Sequence, residues 1–92
     1  MALLGSGKEN ITYYEFTRSQ SITANALSNA VVFSDTGIDP NKVVSLFGTT
    51  TPDLSNNFFF SMNKNGDILI NHIRSSGSQT FTNTRVVVGV QE

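Results

Sequence analysis

Ninety-two residues with a formal net charge of −1 are enough for a single domain. A chain this short buries about 60–65% of the surface that its unfolded form exposes, and without cysteine it has no disulfide to brace it. Its six basic residues, spread from Lys8 to Arg85, form no stripe that would neutralise phosphates, which argues against DNA or RNA as a partner.

Residues 1–9 read as a flexible N-terminal arm, because Gly5-Ser6-Gly7 orders only at a high entropic cost. Such an arm is free to dock on a neighbouring subunit. The single β domain is expected over residues 10–92. Its first strand runs from Asn10 to Ile22, bent or bulged near Arg18. Thr23 to Asn29 reads as a loop or a brief helical turn, and Ala30 to Ser34 as a short apolar strand. Asp35 to Asn41 is dense in turn formers, and Pro40 excludes a central strand there.

Lys42 to Phe47 reads as a strand, with Val43, Ser45 and Phe47 on one face; Gly48 to Asn57 reads as a polar loop. The strongest local signal is a β-hairpin. Phe58 to Met62 and Ile68 to Ile73 flank Asn63-Lys64-Asn65-Gly66-Asp67, where Asn-Gly supplies the positive φ that tight turns require. Arg74 to Ser78 is a second turn. The last strand, Gln79 to Val90, is apolar on nearly both parities in its second half, so it is either buried on both faces or paired across a subunit boundary. These segments predict an all-β domain, an antiparallel β-sandwich or jelly-roll-like barrel of about six strands.

Each motif that would carry chemistry breaks at a named residue. Gly5-Ser6-Gly7-Lys8 holds part of a phosphate-loop signature, but Glu9 stands where Ser or Thr is needed, and no strand precedes it. Asp35, Gly37, Asp39 and Asn41 alternate like calcium ligands, yet the glycine and glutamate positions of an EF-hand fall on Pro40 and Leu46. Asn63, Asn65 and Asp67 are accounted for by the hairpin turn. No metal or cofactor is therefore expected. His72 shares the parity of Ile68 and Ile70 and reads as a partly buried, hydrogen-bonded residue. Catalysis would need Asp35, Asp39 or Asp67 beside it in a cleft, and no motif places one there, so no enzyme activity is expected. A ligand-binding or pH-switch role is the other use open to it.

Phe58, Phe59 and Phe60 place aromatics on both faces of one strand, for core on one side and an interface or second layer on the other. Tyr13 and Tyr14, with Asn56 and Asn57, are the candidate contacts for a sugar or receptor. The absence of Trp weakens a carbohydrate reading. No stretch nears the roughly 20 apolar residues of a membrane helix, and Met1 to Leu4 are too short for a signal-peptide core, so the expected place of synthesis is a cytoplasm.

Charged residues are only 14% of the chain, while Ser, Thr and Asn number 11, 10 and 10. The stretch from Phe58 to Val90, a third of the chain, has the cadence strand, Asn-Gly-Asp hairpin, strand, Ser-Ser-Gly-Ser turn and Val-rich strand. This resembles small β domains of bacteriophage structural proteins, such as tail-fibre or receptor-binding heads and capsid decoration proteins. The resemblance implies a homo-oligomer, with a trimer favoured, located on a virion and serving host attachment or shell reinforcement. No shaft or coiled coil precedes the domain, which favours a small accessory protein. The expected partner is a second copy, with other virion proteins, a glycan or a host receptor next. The expected subunit contacts are Arg85, Val86, Val87, Val88 and Val90, with the arm from Ala2 to Lys8.

Overall fold

The fold is organised around its longest strand. In a computed structural model describing residues 2–6 and 10–92, the C-terminal strand β8 (Ser78–Gln91) has neighbours on both edges. The other strands are β1 (Ala2–Ser6), β2 (Ile11–Arg18), β3 (Ile22–Asn25), β4 (Asn29–Phe33), β5 (Val43–Thr51), β6 (Phe58–Met62) and β7 (Ile68–His72). A short 3-10 turn, Pro40–Lys42, leads into β5 and is capped by the Asp39 side chain. All strand pairs among the described residues are antiparallel, in one sheet of five strands and one of three. The result is an all-β, sandwich-like fold.

In the larger sheet β2 runs along one edge of β8, from Ile11 opposite Gln91 to Arg18 opposite Thr84, and β5 runs along the other. β3 resumes the antiparallel course with Ile22 opposite Phe81. The chain takes four steps from Arg18 to Ile22 against three from Thr84 to Phe81, so one residue is extra. This is the bulge expected near Arg18, and Asn83 opposite it takes a positive φ of 51°. In the smaller sheet β7 lies between β4 and β6.

Three segments differ from the sequence expectation. Ala2–Ser6, expected within a flexible arm, forms β1 on the outer edge of β2; Met1 and residues 7–9 of that arm lie outside the described residues. Thr23–Asn25 belongs to β3 instead of a loop. β5 continues through Gly48 to Thr51, where a loop was expected. The glycine there marks a close approach of neighbouring chains instead of a turn, and the threonines that follow are good strand formers.

Two apolar clusters fill the space between the sheets. Phe16, Ile38, Ile68, Val86 and Val88 form one; Ala24, Val32, Ile70 and Phe81 form the other, and Phe60 packs against both. Each fully buried Ile, Val or Phe side chain contributes about 1.5–3 kcal/mol. Phe58 and Phe60 face inward while Phe59 between them is exposed, as alternation along a strand requires.

The valine run resolves as a central strand. Val86 and Val88 point into the first cluster, and Val87, on the opposite face, is only 6% exposed. The chain itself therefore buries three of the five residues expected to meet a partner subunit. Arg85 is exposed and Val90 is half-buried. Of the two readings open for this strand, burial on both faces is the one seen for Val86 to Val88, and the two were alike in sequence because a central strand and an interface strand carry the same local pattern.

Candidate functional site

The four residues expected to contact a ligand do not share a site. Tyr13 and Tyr14 are consecutive on β2 and so face opposite sides of the sheet. The Tyr13 ring lies over Gly89, with its Cε1 3.0 Å from where a Cβ at position 89 would stand. Tyr14 packs against the first core cluster and lines a pocket of about 180 Å3 with Thr36, Ile38, Lys42 and Val90. Asn57 belongs to the other end of the molecule, beside Ser78 and Gln79. From Ser78 to Gly89 the strand climbs roughly 36 Å, nearly the full 42 Å length of the protein. Asn56 is exposed; Asn57 is half-buried, and its carbonyl accepts from the Ile73 N–H at 2.9 Å.

The two turns rich in Asp and Asn do meet. Thr36 Oγ1 donates to the Gly66 carbonyl at 2.6 Å and accepts from the Ile38 N–H at 3.2 Å. Their side chains are occupied in shaping the turns. Asp39 Oδ1 accepts from the Asn41 N–H, and Asn63 Oδ1 accepts from the N–H groups of Asn65 and Asp67. In the hairpin turn only Gly66 takes a positive φ, 83°. Among the described residues no three His, Cys, Asp or Glu side chains stand close enough to hold a metal ion.

A shallow depression of about 450 Å3 lies at the β2–β3 bulge, lined by Thr17 to Gln20 and Asn83 to Arg85. Both of its cations are engaged. Arg18 donates to the carbonyls of Gln20, Ser21 and Val32 at 3.1–3.3 Å, and Arg85 forms an ion pair with Glu15.

His72 is the more distinctive residue. Its position at the end of β7, on the parity of Ile68 and Ile70, buries it to 4% exposure. The imidazole stacks on Phe58, directly opposite on β6, with ring centroids 4.3 Å apart and planes 27° apart. Phe58 in turn meets Phe81 edge-on at 5.0 Å. Nδ1 lies 3.2 Å from the Ala24 carbonyl oxygen of β3. A carbonyl only accepts, so Nδ1 carries the hydrogen; in the neutral form of the ring the lone pair is then at Nε2. The ring borders a polar pocket of about 180 Å3 with Ser55, Asn57, Arg74, Ser76, Ser78 and Gln79. The carboxylates of Asp35, Asp39 and Asp67 are absent from this lining. No signal local to His72 shows the Ala24 contact, since 48 residues separate the two.

These features define the protein as an antiparallel, all-β, sandwich-like domain with a polar pocket at the loop end that holds Asn57 and Ser78. No family model matches the chain, and no curated protein or solved structure matches it. No helix among the described residues is long and apolar enough to cross a membrane.

Proposed function

We propose that this chain is a non-catalytic structural accessory protein of a virion, of capsid or tail, that assembles as a homo-oligomer. The observation that carries the reading is the outer edge of β5. This strand is nine residues long, carries no charge, and pairs only with β8 among the described residues. Between two register shifts its course from Ser45 to Thr49 is regular, and Phe47 at the centre is 58% exposed. Soluble proteins usually guard such an edge with charge or proline. Here it offers unpaired backbone groups and an aromatic side chain to another strand. The paucity of charge and abundance of Ser, Thr and Asn, together with the resemblance of residues 58–90 to phage structural domains, support the virion setting.

Sedimentation equilibrium across the micromolar range tests the assembly. A mass of two or more chains is expected, reduced by Phe47→Lys, which places a charge at the centre of the edge. A monomer at every concentration removes the proposal. Mass spectrometry of purified particles from the source, with inspection of the flanking genes for capsid or tail proteins, tests the location.

A second reading, a glycan- or receptor-binding adhesion module, is supported by the preformed polar pocket beside His72. A glycan array without hits would count against it.

A further inference from the structure

We infer that the pocket around His72 and Arg74 binds a small oxyanion, a phosphate or a carboxylate, that carries a hydroxyl next to its charge. Three observations converge on that chemistry. Arg74 brings the only formal charge to the lining, and its guanidinium has no hydrogen bond or ion pair with any described residue. Asn57, Ser55, Ser76, Ser78 and Gln79 supply neutral donors and acceptors around it. A guanidinium gripping two oxygens of one acid group is the strongest pairing such a lining can make.

His72 supplies the selectivity. Thr84 Oγ1 is the sole fully enclosed side-chain polar atom without a partner among the described residues. Nε2 of His72 has no partner there either, so it meets solvent, and His72 is one of the residues that line the pocket. The stack on Phe58 and the bond to the Ala24 carbonyl fix the ring before any ligand arrives. In this proposal that preorganisation makes Nε2 a rigid acceptor for the pocket's ligand. A ligand that gives oxygens to Arg74 and an O–H to Nε2 satisfies both groups. Hydrogen phosphate has such an O–H, as does a uronic or other hydroxy acid; sulfate does not. The pocket, of about 180 Å3, has room for an acid group and its neighbouring atoms. The surrounding elements add no competing charge, since Ala24 of β3, Phe58 of β6 and Ser78 and Gln79 of β8 are all neutral.

The test is NMR of the imidazole nitrogens in the full chain, at a pH where their shifts report the neutral Nδ1–H form. Phosphate, glucuronate and sulfate are titrated separately. A saturable shift at Nε2 is expected with phosphate, glucuronate or both, and the stronger of the two identifies the phosphoryl or carboxylate source. Sulfate should bind about tenfold more weakly or worse, the equivalent of about 1.4 kcal/mol. Arg74→Gln, at an exposed position, should abolish the response while leaving the folded spectrum and the oligomeric mass intact, and Arg74→Lys should retain part of it. Equal responses to all three anions, or a response that survives Arg74→Gln, would mean an adventitious ion only and overturn the inference. No response to any of them overturns it as well. Because the readout is independent of self-association, its failure leaves the assembly proposal standing, and the reverse also holds.

Discussion

Gly48 stands directly opposite Val86 in the β5–β8 pair, and the space a side chain at position 48 would take is already filled. A Cβ there would lie 2.7 Å from the Arg85 carbonyl oxygen, 2.8 Å from Cε2 of Phe60 and 2.8 Å from Cγ2 of Val86. The Arg85 carbonyl belongs to the central strand and has no room to retreat. Gly48→Ala is therefore expected to lose about 1–3 kcal/mol, the range for overpacking a well-filled interior. Urea denaturation should show a lower midpoint with an unchanged slope. A midpoint equal to that of the unaltered chain would show that β5 and β6 do not pack as closely as described.

The turn that joins β6 to β7 depends on a distant loop. The Thr36 hydroxyl holds the Gly66 carbonyl on one side and the Ile38 N–H on the other, and all of this is buried. Thr36→Val keeps the shape and removes both bonds, leaving two backbone groups unsatisfied. The expected loss is about 1–3 kcal/mol. Gly66→Ala should be destabilising too, because a Cβ would stand 2.7 Å from the Ile38 carbonyl oxygen at a φ of 83°. Measured singly and together by urea denaturation, the two changes should be clearly non-additive, since they act on one contact. Simple additivity would place the two turns apart.

The β6–β7 hairpin could be read from sequence because its determinants are local. Gly66 supplies the left-handed residue, whereas three consecutive Phe put an aromatic on each face, and only the packing of Phe58 on His72 and Phe81 shows which face is core. The bulge near Arg18 was similarly legible from the failure of a single parity over Asn10 to Ile22. Gly48 misled because a glycine at a close approach and a glycine in a turn look alike until Phe60 is seen against it. Val86 to Val88 left two readings open, burial on both faces or a subunit boundary, because β2 and β5, which cover them, lie far away in the chain. Of the polar pocket, the buried, apolar setting of His72 and the turn from Arg74 to Ser78 that follows it were legible. The Ala24 carbonyl that holds its Nδ1–H follows from the packing of β3 against β7.

The stack of His72 on Phe58 should contribute to stability apart from any ligand. His72→Ala removes a ring that is 4% exposed and leaves the Phe58 face uncovered. A loss of about 2–5 kcal/mol is expected, as for other large-to-small changes in a core. His72→Phe restores the stack but cannot donate to the Ala24 carbonyl, so it should recover only part of that loss. If Phe restored everything, the Nδ1–H bond would carry no weight, and the tautomer assigned to the ring would lose its basis.

Arg18 and Arg85 flank the same bulge, and the fold uses them differently. The Arg18 guanidinium spans three carbonyls on two segments, one of them Val32 of β4, and so ties the larger sheet to the smaller. Hydrogen bonds from a charged donor are worth about 1.5–3 kcal/mol each when shielded, and less where solvent competes. Only the bond to Val32 is partly buried, so Arg18→Met is expected to lose about 1–3 kcal/mol, insensitive to salt. Arg85 instead pairs with Glu15 across the outer face, with side chains 45% and 23% exposed. An ion pair in that setting is worth less than about 1 kcal/mol and is screened by salt. Arg85→Met should therefore shift the urea midpoint slightly at low ionic strength and hardly at all at high. Equal losses from the two substitutions would contradict the structural distinction, because they share charge, length and neighbourhood and differ only in what the guanidinium holds.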